Sequence, residues 1–326
     1  MDLVSISNSS GISIKILTYG GIIKEINTPD RYGNFKNIVL SYQNKSDYLN
    51  DKFFIGALIG RYCNRISQGK FKLNNQTIIL EKNEGNNHLH GGVNGFHKKI
   101  WKIVDYDNEN KKFVKLSLDS KDLESGYPGN LHIEVKYSIT DENQFLIEFF
   151  AKSDKDTLFN PSSHSYFNLN PSNNSILKHK LKINSIKHIP LNSNYIPIGK
   201  LNESKHTPFD FSSKKEIGKE IGINNEQLKI GNGYDHCFVL NRDNDMEIAA
   251  ELSDEVYGRK VTITTDQPGI QLYSGNHLKG KFKKNEGVCL ETQHFPDSPN
   301  NKNFPTTVLK ANEEYYTKTT YHFGII

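Results

Sequence analysis

Leu131-His132-Ile133-Glu134-Val135-Lys136-Tyr137-Ser138-Ile139 alternates apolar and polar side chains without a break. A period of two marks a strand with one face in a core and the other in water. The same rhythm continues in both directions along the chain. Ile12, Ile14 and Ile16 carry it near the N-terminus, Phe113 with Leu116 and Leu118 precede the quoted run, and Phe145/Ile147/Phe149 follow it. Leu181/Ile183, Val261/Ile263 and finally Tyr315, Thr317, Thr319, Tyr321 and Phe323 take it to the C-terminus. Clusters of Asn, Asp, Gly and Pro between the runs supply turns. Strands with one wet face pair in antiparallel sheets. Helical signals are sparse: Ser46 reads as the cap of a short helix through Asp47 and Leu49, and Ser213 to Ile221 as another turn or two. Without long helices between strands, parallel βαβ units lose their support. The expectation is an all-β chain with few short helices, residues 1–326 forming a single domain as one large antiparallel β-sandwich, with Asn168 to Asn174 as a loop.

The chain has 326 residues, with 41 basic against 37 acidic, a net charge of +4. That balance is small and scattered, which argues against a nucleic-acid partner. The densest basic cluster, Lys281, Lys283 and Lys284, reads as a solvated turn. Cys63, Cys237 and Cys289 are far apart and odd in number, so they read as reduced structural thiols. The N-terminal MDLVSISNSSG has neither a basic start nor an apolar run of signal length, and no stretch approaches the ~20 apolar residues of a membrane span. A cytoplasmic protein without a membrane partner is expected. No Gly-x-Ser-x-Gly, phosphate loop, Gly-x-Gly-x-x-Gly or His-Glu-x-x-His occurs, so serine-hydrolase, nucleotide and zincin chemistries lack sequence support.

Chemistry is concentrated in polar islands that packing alone does not explain. Leu290 to Pro305 reads LETQHFPDSPNNKNFP and holds Glu291 and His294; NHLHGG spans 87 to 92, HSYFNL 164 to 169, and GRYCNRI 60 to 66, while Asp235 and His236 stand together. His88-x-His90 on a strand would aim both imidazoles one way, and with Glu291 would suggest a metal site. The Gly91-Gly92 that follows argues instead for a tight backbone turn. Any one of these histidines also reads as a hydrogen-bonded core or surface residue. Glu291 and a histidine together make a base and an acid.

In order, the chain carries Tyr19-Gly20-Gly21, GRYCNRI at 60–66, NHLHGG at 87–92, Gly95-Phe96 with Trp101, HSYFNL at 164–169, TPFDF at 207–211, GYDHCFVL at 233–240, QPGIQLYSGN at 267–276 and LETQHFPDSPNNKNFP at 290–305. This series resembles the aldose 1-epimerase (galactose mutarotase) family nearly from end to end. The resemblance implies a galactose mutarotase-like supersandwich that interconverts α and β anomers of free aldohexoses such as glucose and galactose. It implies Glu291 as catalytic base, His164 as catalytic acid and His90 as a second active-site histidine, with Asn64, Arg65, Tyr166, Asp235 and Gln271 holding sugar hydroxyls. Ring opening by one acid and one base calls for no metal and no cofactor, and a small aldose is the expected partner of a monomer or homodimer. Tyr166 or Phe295 would lie against the sugar's C–H face. Ser162-Ser163 stand where the family usually has Thr-Asn, and His97 where Asp is common; neither position is assigned chemistry.

Ordinary pKa values fit this division of roles. A carboxyl near 4.3 is ionised at neutral pH, and a histidine near 6.5 is kept protonated by a nearby negative charge. The acidic limb of a bell-shaped rate profile would then belong to Glu291 and the basic limb to His164. Three rivals are weaker. A hexose 6-phosphate epimerase would want an arginine cluster, and only Arg61 and Arg65 lie near the motifs. A sugar-binding module would have lost Glu291 or His164, and a glycoside hydrolase would pair Asp235 with Glu291.

Overall fold

The alternating runs pair edge to edge into a nine-stranded antiparallel sheet in a computed structural model that describes residues 1–172, 175–241 and 247–326. Its order is Lys102–Tyr106, Phe113–Ser120, Leu131–Ile139, Gln144–Ser153, Glu314–Ile325, Arg259–Thr265, Glu247–Ser253, Lys180–Ile183 and Lys215–Glu216. Register sets like beside like: Val135 lies opposite Leu116 on one side and Phe149 on the other, and Tyr321 lies opposite both Phe145 and Ile263. One face is therefore a continuous apolar layer, each large buried side chain contributing roughly 1.5–3 kcal/mol. The other face carries polar pairs such as Lys115 with Glu134 at 3.1 Å.

A six-stranded antiparallel sheet covers that layer, in the order Tyr166–Phe167, Val288–Gln293, Gly269–Tyr273, Asp235–Val239, Lys187–His188 and Asn202–Glu203. Its Phe167, Val288, Leu290, Ile270, Leu272 and Phe238 share one buried cluster with Val135, Tyr137, Ile263 and Tyr321 of the larger sheet. Ile6, Ile14, Ile16, Ile23 and Ile26 join from a four-stranded N-terminal sheet made of Leu3–Ser7, Ser13–Leu17, Ile22–Pro29 and Phe35–Asn37. The result is the expected all-β antiparallel sandwich. Trp101, the chain's single tryptophan, sits in this core edge-on to Phe96 at 5.5 Å, its indole N–H donating to the Phe96 carbonyl.

Helical details depart from expectation at Ser46 and agree with it between Ser213 and Ile221. Ser46 lies inside a 3-10 turn, Lys45–Asn50, whose cap position is Asn44. Ser213 to Ile221 yields a two-residue strand and a 3-10 turn at Ile217–Lys219. Among the described residues the one α-helix is at Glu226–Gly231, where the Asn225 side chain accepts from the N–H groups of Gln227 and Leu228. Of the expected loop from Asn168 to Asn174, Asn173 and Asn174 lie outside the described residues. Lys281, Lys283 and Lys284 are exposed as expected, and all three cysteines are free and buried. Among the described residues no helix is long and apolar enough to cross a membrane.

Candidate active site

The six-stranded sheet has a second face, and alternation puts every odd position of Val288–Gln293 on it. Tyr166, Cys289, Tyr273 and Asp235 stand in one cross-strand row, and Glu291, Gln271 and Cys237 in the next. Glu291 is 2% exposed, so the strand is buried on both faces. Loops close over this polar face to leave a small cleft of about 140 Å³ that opens to solvent.

Two polar islands meet because Arg65–Ile66 pairs with His88–Leu89. The strand ends there, and His90 turns away at φ +51°. Gly91 follows at φ +83°, where a Cβ would fall 1.8 Å from the Gly60 carbonyl oxygen, so only glycine fits the crossing. His90 N–H donates to the Asn64 carbonyl at 3.1 Å, and Asn64 N–H donates back to His90 Nδ1 at 3.2 Å. With Nδ1 accepting, the ring proton of the neutral imidazole is on Nε2. Burial and the neighbouring His164 and Arg65 hold His90 neutral, far below the usual histidine range. His88 goes elsewhere: Nδ1 faces the Glu81 carbonyl at 2.6 Å and Nε2 the Tyr127 hydroxyl at 2.7 Å. The two histidines therefore do not share a metal site.

His164 follows the pairing of Ser162–Ser163 with Leu58–Ile59, and its N–H is fixed by the Ala57 carbonyl. This brings His164 Nε2 to 3.9 Å from Glu291 Oε1, with both side chains buried. His164 Nδ1 lies 3.4 Å from the Cys289 sulfur, and its ring packs 5.0 Å from that of Tyr166 and 5.3 Å from that of His90. Burial disfavours both charges. It pushes Glu291 up to about 8 and His164 down to about 4, against the ordinary values expected from sequence.

Opposite the pair, Arg65 grips Glu84 with two bonds of 2.6 and 2.7 Å and reaches Asp235 at 3.8 Å, while the Tyr195 ring covers its guanidinium at 4.8 Å. Burial raises the Asp235 carboxyl, and Arg65 and Gln271 pull it back. Gln271 Nε2 donates to Asp235 at 2.7 Å, so Gln271 acts on the cleft through Asp235, and its buried Oε1 has no partner among the described residues. Tyr166 lines the cleft, but its hydroxyl donates to the Phe53 carbonyl at 2.9 Å. Its place is beside the His164 ring.

Glu291, His164, His90, Asn64, Arg65, Tyr166 and Asp235 thus converge on one cleft. Phe295 does not, being buried with Ile189, Cys237 and Phe304. His236 turns to Gln227, His294 to Gln267, and Arg61 is taken up by the backbone carbonyls of Ser120, Lys121, Pro128 and Gly129. The aromatic wall is Phe54, at φ +58°, with ring centroids 4.7 Å from those of His90 and His97. The Asp51 carboxylate pins that turn by accepting from Phe53 and Ile55 N–H. Sequence reasoning also missed Lys52, Glu84, Tyr273 and His277; Tyr273 lies inside the Gln267–Asn276 motif and His277 directly after it. Cys63, His90 and Glu291 offer donor atoms within 4.8 Å of one another, although Asn64 already occupies His90 Nδ1.

A family model described as Aldose 1-epimerase matches residues 2–322. The chain is 33% identical to the aldose 1-epimerase of Escherichia coli (strain K12), covering 98% of this chain and 94% of that one. It is 34% identical to the galactose mutarotase of Sus scrofa, over 97% and 92% respectively. The solved structure of the GalM/aldose epimerase homologue from C. elegans superposes with a TM-score of 0.93 at 26% identity, covering 100% and 99%. Galactose 1-epimerase from Lactobacillus acidophilus does so at 0.88 and 29%, covering 98% and 93%. With sandwich, motifs and relatives in agreement over nearly its whole length, the chain belongs to the aldose 1-epimerase family of carbohydrate isomerases.

Proposed function

We propose that residues 1–326 form one catalytic domain, a cytoplasmic mutarotase, monomeric or homodimeric, that interconverts the anomers of free aldohexoses such as glucose and galactose without metal or cofactor. The observation that carries this reading is the 3.9 Å approach of His164 Nε2 to Glu291 Oε1 in the cleft that Arg65 and Asp235 also line. Glu291 takes the proton from O1 while His164 gives one to the ring oxygen; the C1–O5 bond breaks and an aldehyde forms at C1. A half-turn about C1–C2 presents the other face, O5 adds back, and both protons return. Neutral His90 donates from Nε2 to oxygen as charge develops. Arg65, Asn64 and Asp235, the last steadied by Gln271, hold the hydroxyls. Tyr166 keeps the His164 ring in place.

Between about pH 4 and pH 8 the pair holds a single proton, which rests on Glu291, and the working form is the minority tautomer that carries it on His164. Below that window both groups are protonated and there is no base; above it neither is and there is no acid. The kcat/KM profile is therefore a broad bell, its acidic limb near 4 following His164 and its alkaline limb near 8 following Glu291, the reverse of the sequence-based assignment. A limb near 6.5 would overturn this charge order. Polarimetry or proton NMR of freshly dissolved α-D-glucose and α-D-galactose tests the reaction itself; equilibration no faster than in buffer would refute it.

A further inference from the structure

Two buried thiols flank the acid-base pair, and the reaction above gives neither a task. Cys289 touches His164, as described; Cys63 Sγ lies 3.4 Å from Glu291 Oε1 and 2.8 Å from Gln293 Oε1. The Cys63 backbone is clamped, its N–H donating to the Asn160 carbonyl at 2.7 Å and its own carbonyl accepting from the Asn160 amide at 3.3 Å. Glu291 and Gln293 are two apart on one strand, so both reach the thiol from the same face.

A thiol has one proton to donate, and here two oxygens stand beside it, while His90 Nδ1 lies farther off at 4.0 Å and already accepts from the Asn64 N–H. Gln293 Nε2 meanwhile is buried without a partner among the described residues. Exchanging the nitrogen and oxygen of the Gln293 amide, which leaves every atom position occupied as before, answers both facts. Nε2–H then donates to sulfur, and the S–H proton is released toward Glu291. An unpartnered carbonyl oxygen is left in place of an unpartnered N–H, the more common omission in buried structure.

We infer that Cys63 is the positioning residue for Glu291: fed by the Gln293 amide, its thiol donates to Oε1 and holds the carboxylate toward His164 and the cleft. The inference rests on the assignment of Glu291 as the base. Arg65, His90, His164, Asp235 and Cys237 also face this carboxyl, yet among the described residues Cys63 alone donates a hydrogen bond to it. A weak S–H donor suits a group that must both take and return a proton. A cationic donor would lock it ionised.

The test compares Cys63→Ala and Cys63→Ser, with Glu291→Gln as reference, through two readouts. One is the pH profile of kcat/KM; the other is the infrared carbonyl band of protonated Glu291 in the sugar-free protein, identified by its loss in Glu291→Gln. In Cys63→Ala, kcat falls about 3- to 30-fold with KM within about twofold, and the alkaline limb and infrared titration both rise by about half to one pH unit. Cys63→Ser, which keeps a donor, restores both. An infrared titration unmoved in Cys63→Ala, or moved equally in the serine variant, overturns the inference. Should Cys63→Ala not fold, the S–H stretch of the parent protein serves: one of its three thiol bands shifts as Glu291 titrates and loses that shift in Glu291→Gln, and bands indifferent to pH overturn the inference. If the titration moves as stated while Glu291→Gln keeps its rate, the thiol contact stands and the base assignment falls.

Discussion

In the nine-stranded sheet the polar positions of Leu131–Ile139 face outward, and the Lys115–Glu134 pair keeps side-chain exposures of 29% and 30%. In the six-stranded sheet the corresponding positions, Glu291, Gln293, Gln271 and Asp235, are between 0% and 7% exposed. The two surfaces follow the same period of two and differ in whether water reaches the polar half. Where it does, charge is solvated, screened and of little consequence. Where it does not, burial moves Glu291 to about 8 and His164 to about 4, and the energy of holding those groups becomes available to a reaction.

The largest effect expected from this contrast is at its centre. Glu291→Gln should lower kcat by ~10²- to 10⁴-fold with sugar binding little changed. The same variant should be the more stable protein at alkaline pH. A carboxyl raised from 4.5 to about 8 contributes stability below its unfolded pKa that is lost as pH rises through the folded one. Removing the ionisable group should therefore stabilise by on the order of 1–3 kcal/mol at pH 8 and by little at pH 4, read from denaturant midpoints. Equal midpoints at both pH values would mean that the site is wetter than its burial implies.

One residue back, Leu290 lies in the core cluster on the opposite face. Leu290→Ala should remove ~2–4 kcal/mol of stability and leave kcat of the folded protein within about threefold. A selective loss of kcat there would show that the two faces are coupled. Asp235→Ala should raise KM about 10-fold through lost hydrogen bonds, with kcat less affected; a pure kcat effect would make Asp235 an acid or base. Smallest of all, Lys115→Ala on the wet face should change stability by no more than ~0.5 kcal/mol.

This contrast also explains what could be read from the sequence alone. Leu131–Ile139 matches its predicted strand residue for residue, because half-wet strands write their burial into composition. Val288–Gln293 carries no such mark: a strand dry on both faces needs no alternation, and Glu291 and Gln293 look like surface residues until the register is known. The site residues were reached through motif order, which located most of the cleft. It misjudged Phe295, because proximity along the chain does not fix which sheet face a ring enters. Phe54 was missed since its role comes from a left-handed backbone turn and the Asp51 carboxylate, neither of which has a periodic signature. Charge states escape the sequence for the same reason as the strand: the ordinary acidities of free side chains hold in water, and the desolvation that raises Glu291 and lowers His164 is a property of the assembled fold.

Trp101 is the chain's one indole, locked edge-on to Phe96 and hydrogen-bonded to its carbonyl within the shared apolar cluster. Excitation at the red edge, where the 16 tyrosines no longer absorb, therefore isolates a single indole emitter sited in the part of the molecule that unfolding must expose, and its red shift follows global melting.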